Sequence, residues 1–500
     1  MKSIKNIILG FAAAGMMTFA GCADDYLDTV PTNAVSDTTI KQSMENLYSS
    51  LNGIHRQMVS QESSYQCLGG LPGVLMSIDC EGDDITWQIN TWMKAAYLGW
   101  QCNMNETNGY NSTIWRLAYQ WILNANMILE GLAQNDYNKL NKSDQTLYDQ
   151  IKGECLCFRA YSHFLMVQLY AGRYDASGNN SHAGVPYRES SEACELARSS
   201  VAEVYNKINQ DLDEATTLLS GKSLALSHYS EKVAWGLKSR VAMAMQDYSK
   251  AANYAEKAIQ LAEAEGHALM SGSQLQHGFA DITTATKEAL YAAMTPDDMT
   301  VYFYSFYAYM SWNFNSTAIR QGVKGINAET YATMSATDER LAWWDPSGKM
   351  EVPSSSFAQL PYQNRKFTAR STSNAVGDFA FMRLAELYLT EAEALARSGQ
   401  DAKAQEVFSK FQVTRDPEYI SQGNTGAALA EEIMNSRRVE LWGEGFRFFD
   451  LKRLHLDLVR GSNFDQSFCS FLTKDKDAQG WIWEIPRSET AYNTLCTKNY

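Results

Sequence analysis

The stretch RRVELWGEGFRFFDLKRL, residues 437–454, sets Arg437, Arg438, Glu440, Glu444, Arg447, Asp450 and Arg453 along one helix and the turn behind it. So many acids and bases in eighteen residues suggest an active site. A second reading is structural. Charges recurring on one helix can pair with one another, and charges taken out of water have to be paired. Gly443 and Gly445 supply a turn after the first helix. Glu386, Glu391 and Glu393 stand on a preceding helix as expected partners. The structural reading is preferred, and it implies a helical body with a buried charge network.

Outward from this motif the chain is mostly helical by pattern. Ser36-Asp37 offers an N-cap to a helix with Ile40, Met44, Leu47, Leu51 and Ile54 on one face. Ser112 can cap a helix carrying Ile114, Leu117, Trp121, Ile128 and Leu132. Further helices are expected over 151–170, 201–219, 230–245, 250–264, 379–398 and 431–441. The stretches 247–258 and 401–410 each begin a helix after a tight turn. Each sets a small residue, Ala251 or Ala404, where the preceding helix packs, as in the second helix of a tetratricopeptide unit. No strict 34-residue period runs through the chain, so any repeats are divergent. Residues 65–111 and 266–378 lose helical periodicity and gain Gly, Asp, Pro and aromatic residues; 65–111 reads as a long loop. Leu290 begins a strand, and WIWEIP (481–486) reads as extended.

The N-terminus has its own logic. Lys2 and Lys5 precede an uncharged run over 7–20, and small residues Ala20-Gly21 precede Cys22. A basic start, a short apolar core and small residues before a cut describe an export signal. The run is too short to span a membrane comfortably. The Ala-Gly-Cys junction is similar to a bacterial lipobox, in which Cys22 becomes the acylated first residue. Ala23-Asp24-Asp25 is similar to a signal for the outer face of an outer membrane. The chain carries a net charge of −14, which argues against nucleic acid as a partner. Nine cysteines with no CxxC pair read as small buried hydrophobes once Cys22 is set aside. No HExxH, GxSxG, phosphate-binding glycine loop or paired His/Cys spacing occurs, and no cofactor is expected.

The order of motifs resembles the SusD/RagB family of outer-membrane nutrient-binding lipoproteins, over nearly the whole mature chain. The segment 153–174 with Gly184-Val185-Pro186, the helix 204–219, the helix 381–399, the motif 437–454 and the closing WEIPRSETAYN each resemble a family signature. Ser436 departs from the family's usual Glu, and FQVTRDP is shorter than its usual loop. The resemblance implies a mostly α fold: a tetratricopeptide-like helical scaffold with an irregular, loop-rich second subdomain carrying a few short strands. The expected layout is a signal peptide over 1–21 and one body over 22–500. Its scaffold spans about 36–265 and 379–455, and its irregular part about 266–378 and 456–500. The resemblance also implies a SusC-like TonB-dependent transporter as partner, a membrane anchor at Cys22, and capture of oligosaccharide, or of peptide in RagB-type relatives, without chemistry.

A sugar presents a flat apolar face and a hydroxyl rim, so its site needs exposed rings edged with amide, carboxylate or guanidinium groups. Two regions offer both. The first holds Trp87, Asn90, Trp92, Tyr97 and Trp100 with Asp83 beside them. The second holds Tyr304, Tyr307, Tyr309, Trp312, Asn313 and Asn315 with Arg320. Trp343-Trp344 is a third candidate, since adjacent rings in an extended stretch face opposite ways. The expected ligand residues are Asp83, Trp87, Asn90, Trp92, Trp100, Tyr307, Trp312, Asn313 and Arg320. Asp79, Glu81, Asp83 and Asp84 read as a solvated acidic loop, some of whose acids could hydrogen-bond sugar hydroxyls. They also keep one rival open, a surface glycosidase, because two carboxyls about 5–10 Å apart can cleave a glycoside. A structural adaptor that binds only protein is the other.

Overall fold

The computed structural model describes residues 43–60, 68–87, 99–295 and 305–500. The signal segment, Cys22, the Ser36-Asp37 cap, Asn90, Trp92, Tyr97 and Tyr304 lie outside the described residues.

The main helices are α1 (Met44–Gln57), α2 (Gly70–Asp79), α3 (Gly109–Ala133), α4 (Lys142–Tyr170), α5 (Val201–Leu218), α6 (Glu231–Ala244), α7 (Tyr248–Ala264), α8 (Leu384–Arg397), α9 (Asp401–Gln412), α10 (Gly426–Glu440) and α11 (Arg447–Leu454). The expected stripe of α1 is buried at Met44, Leu47, Leu51 and Ile54. Its described start is capped by Ser43, which accepts from Asn46 N–H at 3.1 Å. The cap of α3 is Asn108 rather than Ser112. The Asn108 side chain accepts from Tyr110 and Asn111, while Ser112 sits inside the helix and donates back to Gly109 O. A capping box at Ser200 and Glu203 opens α5.

Helices pack chiefly on sequence neighbours: α3 with α4, α4 with α5, α6 with α7, and α8 with α9 and α10. The small residues expected at two of these seams, Ala251 and Ala404, are fully buried. Contacts between α7 and α8 join the N-terminal helices to the C-terminal ones across more than a hundred intervening residues.

Those intervening residues hold most of the strands. β1 (Ile85–Trp87), β3 (Lys324–Ile326), β5 (Gln363–Asn364) and β4 (Trp344–Asp345) make an antiparallel sheet in that order. β2 (Ala289–Ala293) pairs with β6 (Phe379–Arg383), and β7 (Leu458–Val459) with β8 (Thr473–Lys474).

Two sequence readings are corrected here. Residues 379–383 are a strand, not the start of the helix, because their backbone pairs with β2 from Ala289↔Arg383 to Ala293↔Phe379. The 65–111 region is not simply a loop. It contains α2, buried at every position, and β1. A helix enclosed on all sides has no polar face and so shows no stripe. No helix among the described residues is long and apolar enough to cross a membrane.

Candidate functional site

The motif 437–454 is the centre of a buried ion network. Glu440, at the end of α10, accepts from Arg383 and Arg415 at 2.9 Å each. Arg340 lies 3.4 Å away. Glu288 faces Arg383 and Arg415. Glu444 accepts from Arg383 and Lys366 at 2.7 Å. Asp338 closes on Arg340 at 2.7 Å. Four cations thus meet four carboxylates, nearly all out of water. Burial alone would raise Glu440, but the guanidiniums overcome it and hold it well below the ordinary range. Beside this knot Asp450 bridges Arg437 and Arg453, and Glu393 holds Arg453 at 2.7 Å. Of the other two expected partners, Glu386 pairs with Arg240, and Glu391 makes no ion pair among the described residues.

The turn itself is cramped. Gly443 and Gly445 have φ of +80° and +91°. A Cβ on Gly445 would meet Leu75 Cβ at 2.7 Å, and one on Gly443 would meet Met310 and Phe367 at 2.8 Å. Glycine is required twice, by conformation and by space.

The acids of 79–84 belong to the same interior, so the solvated-loop reading is corrected. Asp83 receives Arg447 Nε at 2.6 Å, and Asp84 pairs with Arg438 at 2.7 Å. Asp79 accepts from Gly443 and Arg447 backbone N–H, and Glu81 from Asn103 at 2.8 Å. Burial pushes Asp79 up to about 7 and Glu81 up to about 8. All four are buried, so none is placed to flank a bound glycoside.

Five expected ligand residues are internal, each for a visible reason. Asp83 is held by Arg447. Trp87 lies under Lys324 Nζ, 4.3 Å from its ring centroid. Trp100 donates to Glu81 O at 2.9 Å and packs edge-on to Phe448, Phe471 and Trp481. Tyr307 donates to Phe279 O and Asp378 O. Asn313 uses its amide to clamp Ala369, donating to its carbonyl and accepting from its N–H, both at 2.8 Å. Trp343 and Trp344 are both buried, the second edge-on to Trp442.

Trp312 and Arg320 remain partly exposed. Trp312 is fixed rather than floppy. Its backbone N–H bonds Phe367 O, its indole N–H donates to Thr368 Oγ1 at 2.9 Å, and the Arg365 guanidinium lies 4.3 Å from the ring centroid. Arg320 stands on a short helix, Thr317–Gln321, just beyond exposed Asn315. The sequence reading missed Arg365 and Thr368. The only signal was a basic pair, Arg365-Lys366, in a stretch otherwise read as irregular.

The two aromatic regions do meet. β1 and β3 pair Trp87 with Lys324, and the Lys324 ammonium, over the Trp87 ring, donates to Tyr309 O at 2.7 Å. Elsewhere a groove of about 780 Å³ opens between the loop after α4 and the end of α11, with Arg173, His182, His455, Lys476 and Tyr500 on its walls. Lys452 below it is committed to the carbonyls of Gln168, Ala171 and Trp481.

A helical scaffold is thus joined to a loop-rich part through a buried charge knot, with Trp312 partly exposed on the loop-rich part. The chain belongs to the SusD family, whose model matches residues 173–499. A second family model, described as SusD-like and as starch-binding associating with outer membrane, matches residues 25–243. Solved structures agree on the fold. A SusD superfamily protein from Bacteroides thetaiotaomicron superposes with a TM-score of 0.78 at 21% identity, covering 92% of this chain and 100% of that one. A SusD-like carbohydrate binding protein from Bacteroides vulgatus gives 0.75 at 22% identity, covering 91% and 97%. Surface glycan-binding protein A from Bacteroides fluxus gives 0.65 at 19% identity, covering 90% and 97%. No curated protein matches the chain.

Proposed function

We propose that this chain is a lipid-anchored protein of the outer cell surface that binds an oligosaccharide without cleaving it and presents it to a SusC-like TonB-dependent transporter. The anchor is Cys22. The observation that carries the binding reading is the Trp312 shelf, a partly exposed indole locked by Thr368 and Arg365, with exposed Asn315 and partly exposed Arg320 following in the chain. A ring held in one orientation loses little freedom when a sugar stacks on it. The Arg365 guanidinium held against the ring, with Asn315 and Arg320 further along the chain, supplies groups of the kind that suit a hydroxyl rim. Asn90 and Trp92, three and five residues after Trp87 in the sequence, belong to the site in this reading. Membership of the SusD family supports it, and so does the likeness to a carbohydrate binding protein and a surface glycan-binding protein.

A panel of polysaccharide affinity gels, followed by calorimetry on the retained glycan, tests the proposal. Trp312→Ala is expected to weaken binding about tenfold, in line with about 0.5–1.5 kcal/mol for a stacked ring beyond its burial. Tyr500→Ala, on the wall of the separate groove, is expected to leave binding unchanged. Equal binding by Trp312→Ala and wild type, with loss in Tyr500→Ala, would move the site to the groove. Release of reducing ends by the purified protein would replace the binding reading with an enzymatic one.

A further inference from the structure

Away from the charge knot and the Trp312 shelf, three residues distant in sequence converge: His55 near the end of α1, Glu154 in α4, and His228 in the turn before α6. Their candidate ligand atoms all lie within 4.8 Å of one another. His55 Nε2 is 2.8 Å from Glu154 Oε2, and His228 Nδ1 is 3.0 Å from the same oxygen. The two imidazole centroids are 4.6 Å apart.

Charge is the first argument. Glu154 has no exposed surface. Its ion-pair partners among the described residues are these two imidazoles, each cationic only when protonated. Glu288, Glu393 and Glu440 are just as deeply placed, and each faces at least one arginine. Glu154 thus differs from those glutamates in facing two imidazoles and no guanidinium among its ion-pair partners in the described residues, and imidazole nitrogen beside carboxylate oxygen is also the donor set a divalent cation takes.

Geometry is the second. Zinc binds imidazole nitrogen and carboxylate oxygen at about 2.0–2.2 Å, so tetrahedral ligand atoms stand roughly 3.3 Å apart. The observed nitrogen-to-oxygen separations are slightly shorter, and a small outward rotation of the rings would seat an ion. Two histidines and a glutamate form a mixed nitrogen and oxygen set that suits zinc and its first-row neighbours over calcium or magnesium.

The surroundings are the third. His55 Nδ1 lies 3.3 Å from the Tyr291 hydroxyl, which reaches on to Met58 Sδ. If that hydroxyl donates to the sulfur and accepts from Nδ1–H, the Nε2 lone pair is turned toward Glu154. The carboxylate is oriented by the Gln150 amide at 2.9 Å and the Tyr229 backbone N–H at 3.1 Å. The Tyr48 ring lies parallel to His228. Partners of this kind beyond the ligands fix ring orientation and raise affinity. The His side chains keep 9% and 12% of their surface exposed, which leaves a path for an ion and room for a water as fourth ligand.

We propose that His55, Glu154 and His228 bind one divalent transition-metal ion, zinc fitting best, which staples α1 to α4 and to the turn before α6. The role is structural.

The test uses the whole mature protein, stripped with a chelator and titrated with zinc chloride and, separately, cobalt chloride. One ion per chain and the intense visible bands of four-coordinate cobalt are expected, with a higher melting temperature when loaded. His228→Gln, at the more exposed ligand, should keep the melting temperature of the metal-free protein while weakening zinc more than about 100-fold, since loss of a direct ligand costs more than the 10–100-fold of an outer partner. Cys194→Ser, at an exposed cysteine, should leave both readouts unchanged. His55→Gln serves as a second variant should His228→Gln fail to fold. Absence of stoichiometric binding in the stripped wild type, or binding undiminished in a folded ligand variant, would overturn the proposal and leave a carboxylate and two imidazoles sharing protons.

Discussion

Replacing Glu440 with glutamine tests whether the motif 437–454 holds the fold or acts on a ligand. The change keeps the shape and removes one negative charge from a set of four cations and four carboxylates. Glu440 Oε1 takes Arg383 and Arg415 at 2.9 Å, while Oε2 takes Arg415 Nε at 3.1 Å and faces Arg340 at 3.4 Å. A glutamine can keep one of these oxygens. Its NH2 then points at guanidinium N–H groups, and the knot carries an unbalanced positive charge.

Breaking a buried pair from one side costs about 3–5 kcal/mol. With about 2.1 cal/mol/K of unfolding entropy per residue, a body over 22–500, roughly 480 residues, has about 1 kcal/mol/K, so the loss lowers Tm by about 3–5 °C. Differential scanning calorimetry at pH 7 reads this directly. Glu406→Gln is the control, since its pair with Lys410 is 59% and 67% exposed and is worth less than about 1 kcal/mol. Glycan affinity of folded Glu440→Gln should equal that of wild type. An unchanged Tm together with lost affinity would refute the structural reading and make the motif part of the site.

Three further outcomes follow from the same interior. Gly445→Ala should cost about 2–4 kcal/mol in urea unfolding, because left-handed strain adds to the clash with Leu75; Gly399→Ala, at φ +77° with nothing nearby, should cost only about 1 kcal/mol, and equal costs would mean the close approach is not felt. Burial, reinforced by Glu256, raises Glu391 to about 7. The folded state therefore holds this proton more tightly than the unfolded one, and the stability it brings is present below about pH 4.5 and lost as pH rises through about 7. Glu391→Gln should be neutral at pH 4 and stabilising by about 1–3 kcal/mol at pH 8, and equal effects at both pH values would remove the argument. Asp450 runs the other way. Its two arginines hold it down to about 2 against the effect of burial. Its contribution is present above the usual aspartate range near 4 and lost as pH falls toward 2, so Asp450→Asn should be strongly destabilising at pH 7 and much less so at pH 2 in denaturant titrations.

Legibility from sequence depended on whether the physical cause was local. The α1 stripe at Leu47, Leu51 and Ile54 was readable because each side chain faces the core at helical spacing. Cys80, Cys102, Cys155, Cys157, Cys469 and Cys496 are buried thiols, as the lack of CxxC pairing suggested, whereas Cys194 is exposed against that reading. The α2 helix was not readable, since enclosure on every side erases periodicity. Residues 379–383 read as helix because FMRLAEL continues a helical pattern, while the partner that makes them a strand lies some ninety residues earlier. The acids at 79–84 look solvated until Arg438 and Arg447 arrive from more than 350 residues away. Aromatic richness located two segments that Lys324 links, over Trp87 and to Tyr309 O, yet it could not separate Trp312, which is partly open, from Trp100, which is enclosed. His55, Glu154 and His228 have no spacing signal because three separate segments supply them.

The charge knot bears on how this scaffold can be re-engineered. Residues 266–378 bring Glu288, Asp338, Arg340 and Lys366 to it, while the helical part brings Arg383, Arg415, Glu440 and Glu444. Each side is electrically neutral by itself, but the bonds from Glu288 to Arg383 and from Lys366 to Glu444 cross the seam. A chimera that takes this stretch from a relative while keeping those eight residues would preserve every cross-bond, and the donor's ligand preference should travel with the transplanted face.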